Sequence, residues 1–233
     1  MAEEKKVYEK VTLKGTAVYP KLTEPYKFKE SEQKSVVDPT GEYTVDMDFE
    51  PEEVQELLNK IDTLVEMKTK EMEELVEEKY QKDLTKVPEA KRNTVKKDSF
   101  KVGLPYKWLE TGKVRLKFKQ KGQYTNKKQE VVNTKVRFVN AAAKPMFPDS
   151  VWSGTVMRIN ATILDYGNLG IGRAGVSLGI NEIQILKLVS GQQSCFEPDE
   201  EYLAESQEMI DELAIEPEFD PESELIGEDE ISF

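Results

Sequence analysis

Between Tyr8 and Val189, apolar residues recur at every second position in six separate stretches and at helical spacing in one. A period of two marks a pleated strand with one buried face, and a period near 3.6 marks an amphipathic helix. The alternating stretches are "YEKVTLKGTAVY" (8–19), "EYTVDMDF" (42–49), "GKVRLKFKQKGQY" (112–124), "EVVNTKVRFVN" (130–140), "GTVMRINATILDY" (154–166) and "AGVSLGINEIQILKLV" (174–189). In the first, Val11, Leu13, Ala17 and Tyr19 share a face, and Gly15 reads as a bend or bulge. Residues 20–41 hold Pro20, Pro25, Pro39 and Gly41 and read as a loop.

The helical stretch opens at Glu50–Pro51–Glu52–Glu53, with proline in the first turn and acids at the positive end of the dipole. It is expected to run from about 51 to 82. Its stripe is Val54, Leu57, Leu58, Ile61, Leu64, Val65, Met72, Leu75, Val76 and Tyr80. A coiled-coil dimer needs three or four clean heptads, and Lys68 interrupts the seam, so packing on the end of a barrel is favoured. Two strands, one helix and four strands give a mainly β fold. The expectation is a small Greek-key barrel of five to six strands with one long inserted helix.

Composition removes several functions. The chain of 233 residues has no histidine and a single cysteine, Cys195, so the commonest general base, a Cys-based zinc site and an internal disulfide are all missing. No cofactor or metal is expected. The start, "MAEEKKVYEK", is not a signal peptide, and no apolar run is long enough to span a bilayer, so a cytoplasmic protein is expected.

The formal net charge of −12 conceals its distribution. Residues 1–90 carry net −9, residues 91–196 carry 19 basic and 6 acidic side chains for net +13, and residues 197–233 carry 16 acids and no Lys or Arg. The expected organisation is a folded domain over 1–196 and a disordered acidic tail over 197–233, in which 202–215 has transient helical character.

The alternation in 112–124 puts Val114, Leu116 and Phe118 inward and Arg115, Lys117, Lys119 and Lys121 outward in one row. In 130–140, Val132, Thr134, Val136 and Phe138 point inward, with Lys135 and Arg137 outward. Paired as a hairpin, the two stretches would present one cationic face. Tyr106, Lys107, Trp108, Tyr124 and Tyr166 fall near the strand ends. Cations flanked by stacking aromatics suit sequence-tolerant binding of single-stranded nucleic acid. Lysines on a strand also discourage edge aggregation, but the +13 of residues 91–196 favours nucleic acid.

"GIGRAG" (170–175) matches a dinucleotide-binding spacing, but alternating residues follow it where that motif opens a helix. A turn presenting Arg173 to phosphate is the better reading. Asp46 and Asp48 allow the alternative of a metal-dependent nuclease, although no third ligand is indicated. The chain closes on Glu228, Asp229, Glu230, Ile231, Ser232 and Phe233. That end suits an apolar pocket on a basic partner protein, and it leaves open a second alternative, an acidic DNA mimic or chaperone.

With these pieces in view, the sequence resembles the replication-type single-stranded DNA-binding proteins of tailed bacteriophages. The resemblance rests on "LKGTAVYPKLTEPY", "GEYTVDMDFEPE", "KVRLKFKQKGQY", "INATILDY" and "GEDEISF". It implies an OB fold, a non-enzymatic role in DNA replication, recombination and repair, and homodimers. It further implies tail contacts to the replicative DNA polymerase and helicase-primase. Arg158 and Tyr166 stand where the family uses a basic and an aromatic contact, and Asn168 stands where a second aromatic would be expected.

Overall fold

The chain is described by a computed structural model over residues 8–126 and 128–189. The tail over 197–233, with Glu228, Asp229, Glu230, Ile231 and Phe233, lies outside the described residues. The elements are β1 (Lys10–Lys29), β2 (Lys34–Val37), β3 (Glu42–Phe49), α1 (Pro51–Lys86), β4 (Lys101–Gly103), β5 (Tyr106–Trp108) and β6 (Val114–Lys121). They continue with β7 (Gln123–Thr125), β8 (Val131–Asn133), β9 (Phe138–Val139), β10 (Pro145–Met146), β11 (Val156–Asn168) and β12 (Arg173–Lys187).

Five of these strands close on themselves. β1 pairs antiparallel with β3 and β11, β3 with β6, and β11 with β12. A short parallel pairing of β12 with β6, Leu178 to Phe118 and Gly179 to Lys119, completes the ring. Closure removes the exposed edges that an open sheet would leave. The expected barrel is therefore present, with five strands in the ring.

Alternation fills the interior as anticipated. Val45, Met47, Val114, Leu116, Phe118, Met157, Ile159, Ala161, Leu178 and Ile183 are fully buried. Each large side chain so placed contributes about 1.5–3 kcal/mol relative to exposure. Gly15 is not a bulge. It pairs in register with Met157, and a Cβ there would stand 2.8 Å from Met47 Cε and 3.2 Å from Phe49. The missing side chain is what lets β3 seat its core residues beneath β1.

The loop expected over 20–41 is mostly strand. β1 continues to Lys29 and returns as β2, pairing Tyr26 with Val37 through Lys29 with Lys34. Its two prolines fall where the register with β3 shifts, between Val18 and Lys21 and between Lys21 and Tyr26. A bulge needs no donor at that position, so proline does not end the strand there. The first irregularity also turns Tyr19 out. Its φ is +48° and it is 71% exposed, contrary to the inward position alternation assigns it.

Helix α1 begins with Pro51 in its first turn, and the Glu50 N–H donates to the Glu53 carboxylate at 3.0 Å. It runs four residues past the expected end and stops before Pro88, since the residue preceding a proline disfavours helical backbone. Val54, Leu57, Leu58 and Ile61 join the barrel core, and Met72 and Val76 are buried further along. Lys68, which breaks the heptad, bridges to Asp165 of β11 at 3.1 Å and to Glu71 at 2.5 Å. The helix packs against β11 and β12, as the favoured reading anticipated. No helix among the described residues is long and apolar enough to cross a membrane.

Candidate nucleic-acid interface

The β6 row lies against acids. β3 pairs with β6 so that Glu42, Thr44, Asp46 and Asp48 stand opposite Lys121, Lys119, Lys117 and Arg115. Arg115 grips Asp48 through two hydrogen bonds of 2.6 and 2.7 Å, the bidentate form that fixes a guanidinium. Lys119 approaches Glu42 at 3.8 Å. Burial pushes the Asp46 carboxyl above its usual range, a shift that Lys117, Arg115 and Lys107 oppose. The two carboxylates raised as metal ligands thus face cations, and among the described residues no cluster of three acids, histidines or cysteines could hold a metal.

The hairpin expected across 112–140 does not form along its length. β3 takes one edge of β6, and β5 and β12 share the other. The later stretch meets the earlier one near its tip, where β7 pairs with β8, Tyr124 opposite Val132, the Thr134 N–H donates to the Gly122 carbonyl at 2.8 Å and Gln120 Nε2 donates to the Lys135 carbonyl at 3.3 Å. Beyond it, β9 joins β12 in parallel. Lys135 is exposed on the connecting segment, and Arg137 bridges to Glu182 at 3.2 Å. Neither is a strand partner of the β6 row.

A groove of about 900 Å³ opens where β6, β11 and β12 meet, lined in part by Lys119, Lys121, Tyr166, Asn168, Arg173 and Asn181, and also by the acids Glu42 and Asp165. A smaller recess of about 150 Å³ shares Lys119 and Tyr166 and adds Lys117 and Pro105. Tyr166 stands opposite Gly175 on β12, which in turn pairs with Gly103 on β4. Gly175 has φ +146°, and a Cβ there would meet the Gly103 carbonyl at 2.1 Å. A Cβ on Gly103 would meet the Tyr166 hydroxyl at 2.2 Å. Two glycines in contact therefore make the bed on which Tyr166 lies. Gly172, at φ +59°, turns the chain so that β12 begins at the exposed Arg173, a strand after "GIGRAG" as its alternation indicated.

Of the residues singled out from sequence, the groove and recess gather Lys117, Lys119, Lys121, Tyr166 and Arg173. Lys107 stands opposite Arg115 on β5. Trp108, 58% exposed, has the parity of Tyr106 and Val114, so it does not share the face of Lys107. Tyr106 itself packs on the core and donates to Asp62 at 2.6 Å, and burial first, then that bond, pushes its phenol up to about 12. Tyr124 is exposed on the β7–β8 hairpin. Arg158 donates to Gln184 at 3.2 Å, and Lys14 is its partner on β1. Exposed aromatics that the sequence reading left out of the site include Tyr19, Trp152, Phe28 and Phe147. Tyr19 was hidden by a backbone reversal that alternation does not signal, and Trp152 by its place in a turn.

A five-stranded closed barrel with this pairing order defines an OB-type protein. The chain matches the family described as single-stranded DNA-binding protein, bacteriophage T7, over residues 16–188, and it belongs to that family. Its fold is similar to the crystal structure of gp2.5, a single-stranded DNA-binding protein encoded by bacteriophage T7. That likeness has 19% identity and a TM-score of 0.51, over 85% of this chain and 94% of that one. The single-stranded DNA-binding protein from bacteriophage Enc34 matches at 10% identity and a TM-score of 0.44, over 83% of this chain and 89% of that one. The same protein in complex with ssDNA matches at 12% and 0.38, over 78% and 88%. No curated protein gave a significant sequence match.

Proposed function

We propose that the protein binds single-stranded DNA, without strong sequence preference and without catalysis, in the groove between β6, β11 and β12. Lys117, Lys119, Lys121 and Arg173 hold phosphates, and Tyr166 stacks on a base. Arg115, Lys107, Lys135, Arg137 and Arg158 extend the positive field, and Tyr124 and Trp108 offer stacking surfaces at its margins. The observation that carries this reading is the convergence of Lys119, Lys121, Arg173 and Tyr166 on one groove in a member of this family. A cationic channel with an aromatic platform binds single strands whatever their sequence, because every base has a π-face.

The tail recruits replication proteins, the replicative polymerase and helicase-primase, through Glu228, Asp229, Glu230, Ile231 and Phe233, and its charge competes with DNA. The protein acts in replication and recombination as a homodimer that protects exposed strands.

Titration of a labelled oligothymidylate tests the DNA reading. Tyr166→Ala is expected to weaken binding roughly 5- to 100-fold, the range of one lost stacking contact, with unchanged thermal stability. Undiminished affinity would remove Tyr166 from the site. Deleting Phe233 is expected to leave DNA affinity intact while abolishing polymerase binding, and the reverse result would reassign that residue.

A further inference from the structure

We infer that Tyr19 and Trp152 form a second base-stacking platform for single-stranded DNA, at the Arg115 end of the β6 row. The inference rests on the single-strand reading and extends it to residues outside the groove. Tyr19 is the first sign. A tyrosine at φ +48° occupies a region that side chains other than glycine, asparagine and aspartate rarely adopt. Backbone held in such a state clusters at functional positions. Here the reversal leaves the ring 71% exposed with the Arg115 guanidinium 5.8 Å from its centroid. Arg115 is itself locked on Asp48 by two hydrogen bonds, so the ring has a fixed cationic neighbour.

The second sign is the turn that carries Trp152. The Tyr19 N–H donates to Ser153 Oγ at 3.0 Å, one residue from Trp152. The Ala17 N–H donates to the Thr155 carbonyl at 2.8 Å, and the Gly154 N–H to the Ala17 carbonyl at 2.9 Å. Thr155 is fully buried and its hydroxyl accepts from the Val189 N–H at 3.0 Å. The turn is thus stitched to β1 beside Tyr19. The Trp152 indole N–H donates to Ser150 Oγ at 3.1 Å, yet half the residue is exposed. Two large aromatics held in the open by hydrogen bonds, with a guanidinium beside one, are built to receive a flat partner.

The position fits one strand of nucleic acid running along β6. The Tyr166 recess is lined by Lys117 and Lys119, and Arg115 lies four residues from Lys119, roughly 13–14 Å along the strand. A strand stacked on Tyr166 and following the row would reach Tyr19 next.

The full-length protein supplies the test, because Trp108 and Trp152 are its two tryptophans. In Trp108→Phe, Trp152 is the sole indole emitter. Adding oligothymidylate is expected to quench that emission in step with binding followed by anisotropy. Tyr19→Gly removes the ring at a position whose backbone glycine prefers. It is expected to weaken binding roughly 5- to 100-fold, with a melting temperature equal to or above that of the parent. Anisotropy that reports binding while Trp152 emission stays constant, or while Tyr19→Gly binds as the parent does, would overturn the platform and spare the groove. Absence of binding by anisotropy in the parent would overturn the single-strand reading itself.

Discussion

Gly175 decides where Tyr166 stands. Its φ of +146° and its 2.1 Å clearance from the Gly103 carbonyl leave no room for a methyl group without parting β4 from β12. Gly175→Ala is expected to destabilise the fold by about 2 kcal/mol or more and to weaken oligonucleotide binding, read by thermal denaturation and titration. Normal stability would show that β4 is not packed there. Asp46 works in the opposite sense. Burial raises its pKa in the folded state, so the native protein holds the proton more tightly than the unfolded chain. Its contribution to stability is present below the unfolded pKa, near 3.8, and is lost as pH rises through the folded value. Asp46→Asn is therefore expected to be no less stable than the parent at neutral pH, the difference closing as pH falls below 4. With one anion removed opposite Lys117, DNA affinity at low salt is expected to rise about two- to fivefold. Lower stability at pH 7 would mean that the Lys117 attraction outweighs the burial cost.

At the scale of elements, Ile61 is fully buried where α1 meets the barrel. Ile61→Ala is expected to cost about 2–5 kcal/mol in chemical denaturation, and a cost under 1 would show that the helix is loosely docked. The helix and the inward residues of β3, β6, β11 and β12 were legible because period and burial are local properties. The partner of β6 was not. A row such as Arg115, Lys117, Lys119 and Lys121 says which way it faces but not which strand lies beside it. Chain proximity suggested the 130–140 stretch, whereas the barrel supplies β3 with its Asp46 and Asp48. The β1–β2 hairpin was hidden by Pro20 and Pro25, which read as strand breakers until the register shifts absorb them. Tyr166 and Arg173 were readable as single residues, but their meeting with Lys119 and Lys121 depends on the parallel closure of β12 on β6, which no pattern announces.

For the whole molecule, the net charge of −12 is the sum of net −9 over residues 1–90, net +13 over 91–196 and 16 acids without a cation over 197–233. On the proposed function, the barrel's cations serve DNA against two sets of competing charges, the β3 acids and residues 197–233. Deleting 197–233 is expected to strengthen DNA binding at low salt, with the gain fading as salt screens the charges; unchanged or weaker binding would end the idea of self-competition. The groove itself is tested most directly by the salt dependence of oligothymidylate affinity in the parent and in the triple variant Lys119→Ala, Lys121→Ala, Arg173→Ala. With each phosphate contact worth about 0.7 in the logarithmic slope, the triple variant is expected to lose roughly two units. A slope equal to that of the parent would place the DNA elsewhere on the barrel.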